Sequence, residues 1–223
     1  MSDDSFIREV DEELRQDRMK GLWDRYGWVL ISAAVLVVLV TAALRGWQYY
    51  SERQAAAAGD AFVKAIELSS DGKHDEAVAA LQELEKDGHG AYPTLARLRV
   101  AGELEGEGKK AEALAAFDAI AGDSSVDEAF RSVAGLRAGL LAVDAEDYDK
   151  VKARLEPLAV AGGYYRHLAR EGLGLAAWKA GANEEALKWF QAIADDADSS
   201  GGIRSRAAVM LDLLAGKGVK QSG

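Results

Sequence analysis

An uninterrupted apolar segment near the amino terminus dominates the hydrophobic pattern of the chain. Residues 28–44, WVLISAAVLVVLVTAAL, carry no charge and lie between Arg25 and Arg45. An α-helix rises ~1.5 Å per residue, so the segment and its bordering glycines nearly match a hydrocarbon core ~30 Å thick. The pattern predicts a transmembrane helix over residues 27–46, with 28–44 in the lipid bilayer. Six aromatic rings, of the kind that favours membrane–water interfaces, flank it: Trp23, Tyr26, Trp28, Trp47, Tyr49 and Tyr50.

Two other interpretations fit this segment less well. A core helix of a soluble protein seldom has apolar residues on every face between two aromatic belts. A cleaved signal peptide has a short cationic lead and an apolar core of ~7–15 residues. Here the 27 residues before the segment carry eight acids beside five bases, and the apolar core is longer. Cleavage near residues 41–43 is therefore the weaker alternative.

The residues after the span predict that its helix continues. Residues 45–58 contain no proline and are rich in strong helix formers. We therefore expect one unbroken helix from about residue 27 to about residue 70, which would act as a stalk between the membrane and the following domain. The flank before the span has five basic residues, against three in the 20 residues after it. This bias favours a cytoplasmic amino terminus and a carboxy-terminal domain on the other side of the membrane.

A second pattern recurs through the rest of the chain. Three segments begin with glycine and have an acid at the helix start. They then place a small residue and two apolar residues, four and seven positions later, on one helix face. They are GKHDEAVAALQEL (72–84), GKKAEALAAFDAI (108–120) and GANEEALKWFQAI (181–193), with a weaker copy, EDYDKVKARLEPL, at 146–158. The four starts lie 36, 38 and 35 residues apart. The shared apolar sets are Ala77/Leu81/Leu84, Ala113/Phe117/Ile120 and Ala186/Phe190/Ile193.

A further helical segment precedes each copy, at 54–70, 94–107, 127–143 and 165–180. Helix pairs of this length resemble the tetratricopeptide repeat, and Leu173-Gly174 stands 13 and 12 residues before Ala186, where that family expects Leu-Gly. Gly139, Ala65 and Ala101 occupy the equivalent small position in the other copies, whereas the proline that the family places after the second helix is missing. Pro157 should end or kink the second helix of the weak copy.

The two patterns together predict an all-α chain, in which a single amino-terminal transmembrane helix precedes a tetratricopeptide-repeat-like α-solenoid. We expect a cytoplasmic tail over residues 1–26, the transmembrane helix over 27–46 and a repeat domain outside the cytoplasm over 47–223, which the resemblance described below would place in the periplasm. The last of these would hold about four helix pairs and a carboxy-terminal capping helix near residues 203–215.

Composition narrows the chemistry that the chain can perform. Its formal net charge of −10 repels phosphate backbones, which argues against nucleic-acid binding. It has no cysteine, so it has no disulfide and no thiol nucleophile. His74, His89 and His167 do not pair at metal-ligand spacing, and we expect His74 and His89 to be solvated. The sequence offers no nucleophile–base constellation, so we expect no enzyme activity, no cofactor, no metal and no small-molecule substrate.

The junctions around the span carry a closer resemblance. The motif WDRYG (23–27) leads into it, RGWQYY (45–50) leaves it, and an alanine-rich helix then enters divergent repeats. This arrangement resembles the YfgM-like family of ancillary SecYEG translocon subunits over nearly the whole chain. The resemblance implies a bacterial inner-membrane location, with the translocon and a membrane-anchored periplasmic chaperone as protein partners. It implies a role in passing emerging secretory or outer-membrane proteins to periplasmic chaperones. Two alternatives stay open: an envelope-assembly or division scaffold, and a regulator acting through its cytoplasmic tail.

Repeat domains of this kind bind other proteins through the groove lined by their first helices. Aligned on the repeat, six apolar residues fall at groove positions and are our candidates for partner binding. The alternative is that curvature or the long helix buries them in the core. They are Phe62, Ile66, Leu98, Leu136, Leu140 and Trp178.

Overall fold

The chain is all-α in the computed structural model, which describes the backbone of residues 3–219 and the side chains of residue 20 and residues 23–219. Nine α-helices and a short 3₁₀ helix, Glu156–Leu158, lie within these residues. They divide between Ala56 and Ala57 into two compact units. The α-helices are α1 Asp3–Ser70, α2 His74–Asp87, α3 Tyr92–Gly106, α4 Lys110–Ala121, α5 Glu128–Ala145, α6 Tyr148–Leu155, α7 Arg166–Lys179, α8 Asn183–Ala194 and α9 Gly201–Gly216.

Helix α1 is continuous over 68 residues. It has no loop between residues 45 and 60 and ends at Ser70, so the expected continuation of the spanning helix into the first repeat is confirmed. Its expected start near residue 27 is wrong, because the helix begins at Asp3. Residues 3–26 contain no proline, and half of them are strong helix formers (Arg, Glu, Leu, Lys, Gln and Met), so nothing in the local sequence ends the helix before the span.

The apolar part of α1 leaves its side chains exposed. One helix in the described chain is long and apolar enough to cross a membrane, and very little of its most apolar stretch is buried by protein. The core helix of a soluble protein would instead cover this surface with its own neighbours. The six flanking aromatic side chains are also more than half exposed. By length, composition and exposure, this segment could span a bilayer.

Helix pairs build the second unit, as the repeat pattern predicts. The end of α1 pairs with α2, and the later pairs are α3/α4, α5/α6 and α7/α8. Each second helix also packs on the first helix of the following pair, and α8 packs on α9. Helix α9 buries Ala207 and Leu214 against the last pair, which is the role expected of a capping helix.

The turns within the strong copies share one backbone geometry. Gly72, Gly108 and Gly181 have φ values of 78°, 78° and 76°, a left-handed conformation that residues with a side chain rarely adopt. The amide that follows each glycine donates to a carbonyl five residues back, as Lys73 does to Leu68 over 2.9 Å. This is the hydrogen bonding of a glycine-terminated helix, and it fixes the angle at which each second helix begins.

Small residues allow the paired helices to cross closely. Ala77, Ala113 and Ala186 are fully buried, together with the apolar residues that follow them in each copy. In the weak copy Val151 takes the place of the alanine, and Gly139 compensates on the partner helix, where an added methyl group would overlap Leu155. Helix α6 ends at Leu155, two residues before Pro157, as the sequence predicts.

Candidate interaction surface

The six predicted binding residues occupy three positions on the first helices. Each first helix crosses its partner at a small residue: Ala65, Ala101, Gly139 or Gly174. The three positions lie three residues before, one residue after and four residues after this crossing residue. Since residues spaced by three and four share a helix face, they form one surface, which we name the first-helix face. Phe62, Leu98 and Leu136 hold the first position, Ile66 and Leu140 the second, and Trp178 the third.

The structure separates these six residues by exposure. Leu136 is only 6% exposed and lies in the largest core cluster, so it offers no surface to a partner. Leu98 is partly buried against the same cluster. Phe62 is partly buried near Tyr92, with ring centroids 6.0 Å apart. The apolar residues three positions before the crossing are therefore explained by packing in the core.

The other three residues remain accessible. Ile66 is 37% exposed, Leu140 36% and Trp178 38%. Leu140 lies against Gly172 of α7, where an added methyl group would come within 3.0 Å of its Cδ2 atom. Helices α5 and α7 thus meet beside Leu140 of α5, and α7 also carries Trp178. The exposed part of the first-helix face consists of these three large apolar side chains.

Polar links join consecutive first helices next to this face. The Arg99 guanidinium of α3 donates to Ser69 Oγ of α1 over 2.9 Å. One repeat later, Arg137 of α5 donates to Glu105 of α3. Both arginines stand two residues before the crossing position, and both acceptors stand four after it. Sequence reasoning missed these links, although an arginine at the same place in two successive copies is a signal that could have found them.

Glu103 is the most buried carboxylate of the described chain, with 5% of its surface exposed. Ser69 Oγ donates to it over 2.6 Å, His74 Nδ1 lies 3.0 Å away and Arg99 Nη2 lies 2.6 Å away. Burial acts to raise the pKa of Glu103, but the hydrogen bonds from Ser69 and His74 and the Arg99 charge hold this pKa below its ordinary value. The group ties α1, α2 and α3 together. His74 is exposed, as the sequence predicts, and its ring also faces Glu103, a contact that the sequence did not predict.

A second charged cluster fixes the loop between α8 and α9. Asp196 accepts hydrogen bonds from Arg166 and Arg170 over 2.8 and 3.0 Å, and His167 Nε2 lies 3.0 Å from the same carboxylate. The hydrogen bond from Arg166 is the main reason that the pKa of Asp196 lies far below its ordinary value. The carboxylate is fully engaged by α7, so the cluster serves the packing of the last repeat.

Residues 20–216 match the tetratricopeptide repeat-like domain family. The chain belongs to this family. The match covers the apolar segment of α1 as well as all four helix pairs. No curated protein matches the chain.

This tetratricopeptide repeat-like protein has the features of an interaction module. Repeat folds of the family are typically non-catalytic scaffolds that bind other proteins. Within the described side chains, no group of three or more His, Asp or Glu residues is placed to hold a metal ion. What the domain does offer is exposed apolar surface on helices that polar side-chain links hold in place.

The end of α7 that carries Trp178 is anchored on both sides. Lys179 Nζ donates to the carbonyls of Val143 and Asp144 on α5, over 3.0 and 2.7 Å. On the other side, Lys217 Nζ lies 5.3 Å from the centroid of the Trp178 ring, within cation–π range. The indole is therefore presented in a defined orientation, and an ordered aromatic side chain loses little entropy on binding.

Proposed function

We propose that this protein is a membrane-anchored interaction module of the bacterial envelope that binds protein partners through its first-helix face. The observation that carries the proposal is the exposure of Ile66, Leu140 and Trp178 on three first helices of a tetratricopeptide repeat-like domain. Exposed apolar side chains on such helices often mark interaction sites. Their supporting arginine links and the Lys179 anchor keep this surface preorganised.

We further propose its location and its partners. Residues 1–26 form a cytoplasmic tail, 27–46 cross the inner membrane and 47–223 lie in the periplasm. Support comes from the exposed apolar surface of α1 and from the basic residues that precede the span. The junction motifs WDRYG and RGWQYY support a YfgM-like role as an ancillary subunit of the Sec translocon. In this role the domain helps emerging secretory and outer-membrane proteins reach a membrane-anchored periplasmic chaperone.

Site-specific photo-crosslinking in intact membranes tests this proposal. A photoreactive amino acid is placed at Ile66, Leu140 or Trp178, one position at a time, and adducts are identified by mass spectrometry. Matched controls carry the same group at Glu76 and Asp149, which are exposed on the second helices α2 and α6. We expect adducts with translocon and chaperone subunits from the three first-helix positions and few adducts from the controls.

Three other outcomes would contradict parts of the proposal. Adducts with division or wall-synthesis proteins would favour the scaffold function over the translocon role. Equal yields from the first-helix and control positions would place the binding surface elsewhere. Partner capture that depends only on residues 1–26 would favour a regulator acting through its cytoplasmic tail.

A further inference from the structure

A cleft away from the first-helix face opens between the start of α5 and the segment that joins α6 to α7. Its volume is about 500 Å³. No lining residue holds one of the three positions that define the first-helix face, so this is a separate surface. The lining is mostly apolar and aromatic, and it includes Pro157, Leu158, Val160, Tyr164, Tyr165 and Glu128.

Tyr164 is the unusual member of this lining. It is 96% exposed, more than any other large hydrophobic side chain of the described chain, although it lies in a well-packed domain. Its neighbour Tyr165 packs on the core, and the two rings are 6.3 Å apart and tilted by 55°. The pair therefore presents one ring fixed by the core and one whose face is open to a ligand.

Hydrogen bonds to its backbone hold the loop that carries Tyr164 in place. The Gly163 amide donates to the Val160 carbonyl over 3.1 Å, and Arg166 Nη1 donates to the Gly163 carbonyl over 3.2 Å. Arg166 is itself fixed by Asp196. The backbone that carries Tyr164 is therefore fixed before a ligand arrives, so binding does not have to order the loop.

The charge of the cleft selects among possible ligands. Glu128 is the only charged side chain in the lining, and among the described residues its carboxylate has no hydrogen-bond or ion-pair partner. Asp127, the exposed residue before it, lies outside the lining, and its carboxylate caps α5 by accepting from the Ala129 amide over 2.9 Å. Glu156, beside Pro157, is matched by Lys152, whose Nζ lies 3.7 Å away. The open face of Tyr164 and the carboxylate of Glu128 are both groups that attract a cation.

From this juxtaposition we infer that the cleft binds an extended segment of a partner protein in which an arginine or lysine stands next to apolar residues. The apolar side chains occupy the space lined by Leu158, Val160 and Pro157. The cation lies over the Tyr164 ring and pairs with Glu128. An acidic segment would be repelled by Glu128, and a neutral proline-rich segment would leave this carboxylate without a counter-charge. This site acts independently of the first-helix face.

A peptide-binding experiment on the full chain in neutral-lipid nanodiscs tests the inference. The probe is a fluorescein-labelled glycine–serine peptide that carries one arginine between two leucines, with binding followed by anisotropy. We expect Tyr164→Ala and Glu128→Gln each to weaken binding about two- to five-fold, the range for an exposed cation–π contact or charge pair. Tyr164→Phe should retain binding, because it keeps the ring. A peptide with glutamate in place of arginine should not bind.

Matched controls separate the cleft from general charge and surface effects. Glu112 is an exposed acid in the first turn of α4, and Val209 is an exposed apolar residue of α9. Glu112→Gln and Val209→Ala should leave affinity unchanged. Absence of binding by the parent chain would overturn the inference, as would equal affinity for the glutamate peptide. An unchanged affinity of Glu128→Gln, or equal binding of a neutral peptide with proline in place of arginine, would overturn the assignment to a basic segment.

Discussion

Glycines inside the helices of this chain face two kinds of surroundings. An added methyl group at Gly139 would overlap the buried Leu155, and one at Gly174 would lie 2.7 Å from Phe190. Gly102, in the middle of α3, has no atom within 4 Å of the place where a methyl group would go. The first two positions need glycine because helices cross there. At Gly102 the conformational entropy of glycine destabilises the helix, and no close packing requires it.

This difference predicts opposite effects for the same substitution. Gly139→Ala should destabilise the domain by about 1–2 kcal/mol, because overpacking outweighs the gain in helix propensity. Gly102→Ala should stabilise it by about 0.5–1 kcal/mol, because only the propensity changes. Thermal melts followed by circular dichroism would measure both. A stabilising Gly139→Ala would mean that α5 and α6 do not cross at the contact described here.

Glu103 makes the stability of the domain depend on pH. Its pKa in the folded chain lies below the ordinary value of 4.5, so its contribution is present above this value and is lost as the pH falls through the folded-state pKa. Glu103→Gln should cost about 1–3 kcal/mol near neutral pH, because it weakens the hydrogen bonds from Ser69, His74 and Arg99. The difference in stability between parent and variant should narrow as acidification takes the pH through the folded-state pKa of Glu103. A gap that stays constant with pH would show that the Glu103 charge contributes nothing.

At the scale of the element, each second helix has one close-packed side and one open side. In α4, Ala113 is fully buried at the crossing, whereas Ala115 of the same helix is exposed. We expect Ala113→Phe to overpack the crossing and to cost about 1–3 kcal/mol. Ala115→Phe is the matched control, and it should change the melting temperature little. Similar melting temperatures for the two variants would refute the register of the repeat.

The helix pairs are the part of this architecture that the sequence predicts best. Glycine turns and recurring alanines are local signals, and Gly72, Gly108 and Gly181 do adopt the left-handed conformation that they indicate. The start of α1 at Asp3 was missed, because no capping signal separates its charged tail from the span. The local sequence also could not predict which side chains of the first-helix face are exposed. Leu136 and Leu140 are the same residue type one turn apart, and only the stacking of neighbouring helices decides which of them is buried.

Contacts between distant polar residues also lie beyond local pattern. Glu103 meets Ser69 and His74 across 34 and 29 residues of sequence, and no local pattern connects the three residues. The Tyr164 cleft likewise depends on two segments, the start of α5 and the loop before α7, that only tertiary packing brings together. Repeat periodicity predicts which helices are neighbours, but side-chain exposure at their junctions follows from the assembled fold.

At the scale of the whole molecule, α1 is the one helix of the described chain that could cross a membrane, and the proposed topology places its two ends on opposite sides. The apolar stretch of α1 leaves its side chains without protein cover, so a bilayer is the environment that would satisfy it. The basic excess before the span predicts an amino terminus that stays in the cytoplasm. The span and its orientation can be tested together, because the chain contains no cysteine and a single introduced thiol gives an unambiguous label.

We therefore expect opposite labelling of two single-cysteine variants by a membrane-impermeant maleimide. Ser124→Cys, exposed in the segment between α4 and α5, should react in spheroplasts with an intact inner membrane. Ser5→Cys, in the predicted cytoplasmic tail, should react only after the membrane is permeabilised. Labelling of Ser124→Cys in detergent serves as the control for thiol reactivity, and the parent chain should not react at all. The reverse pattern would invert the topology, and labelling of both variants in intact spheroplasts would show that residues 27–46 do not span the membrane.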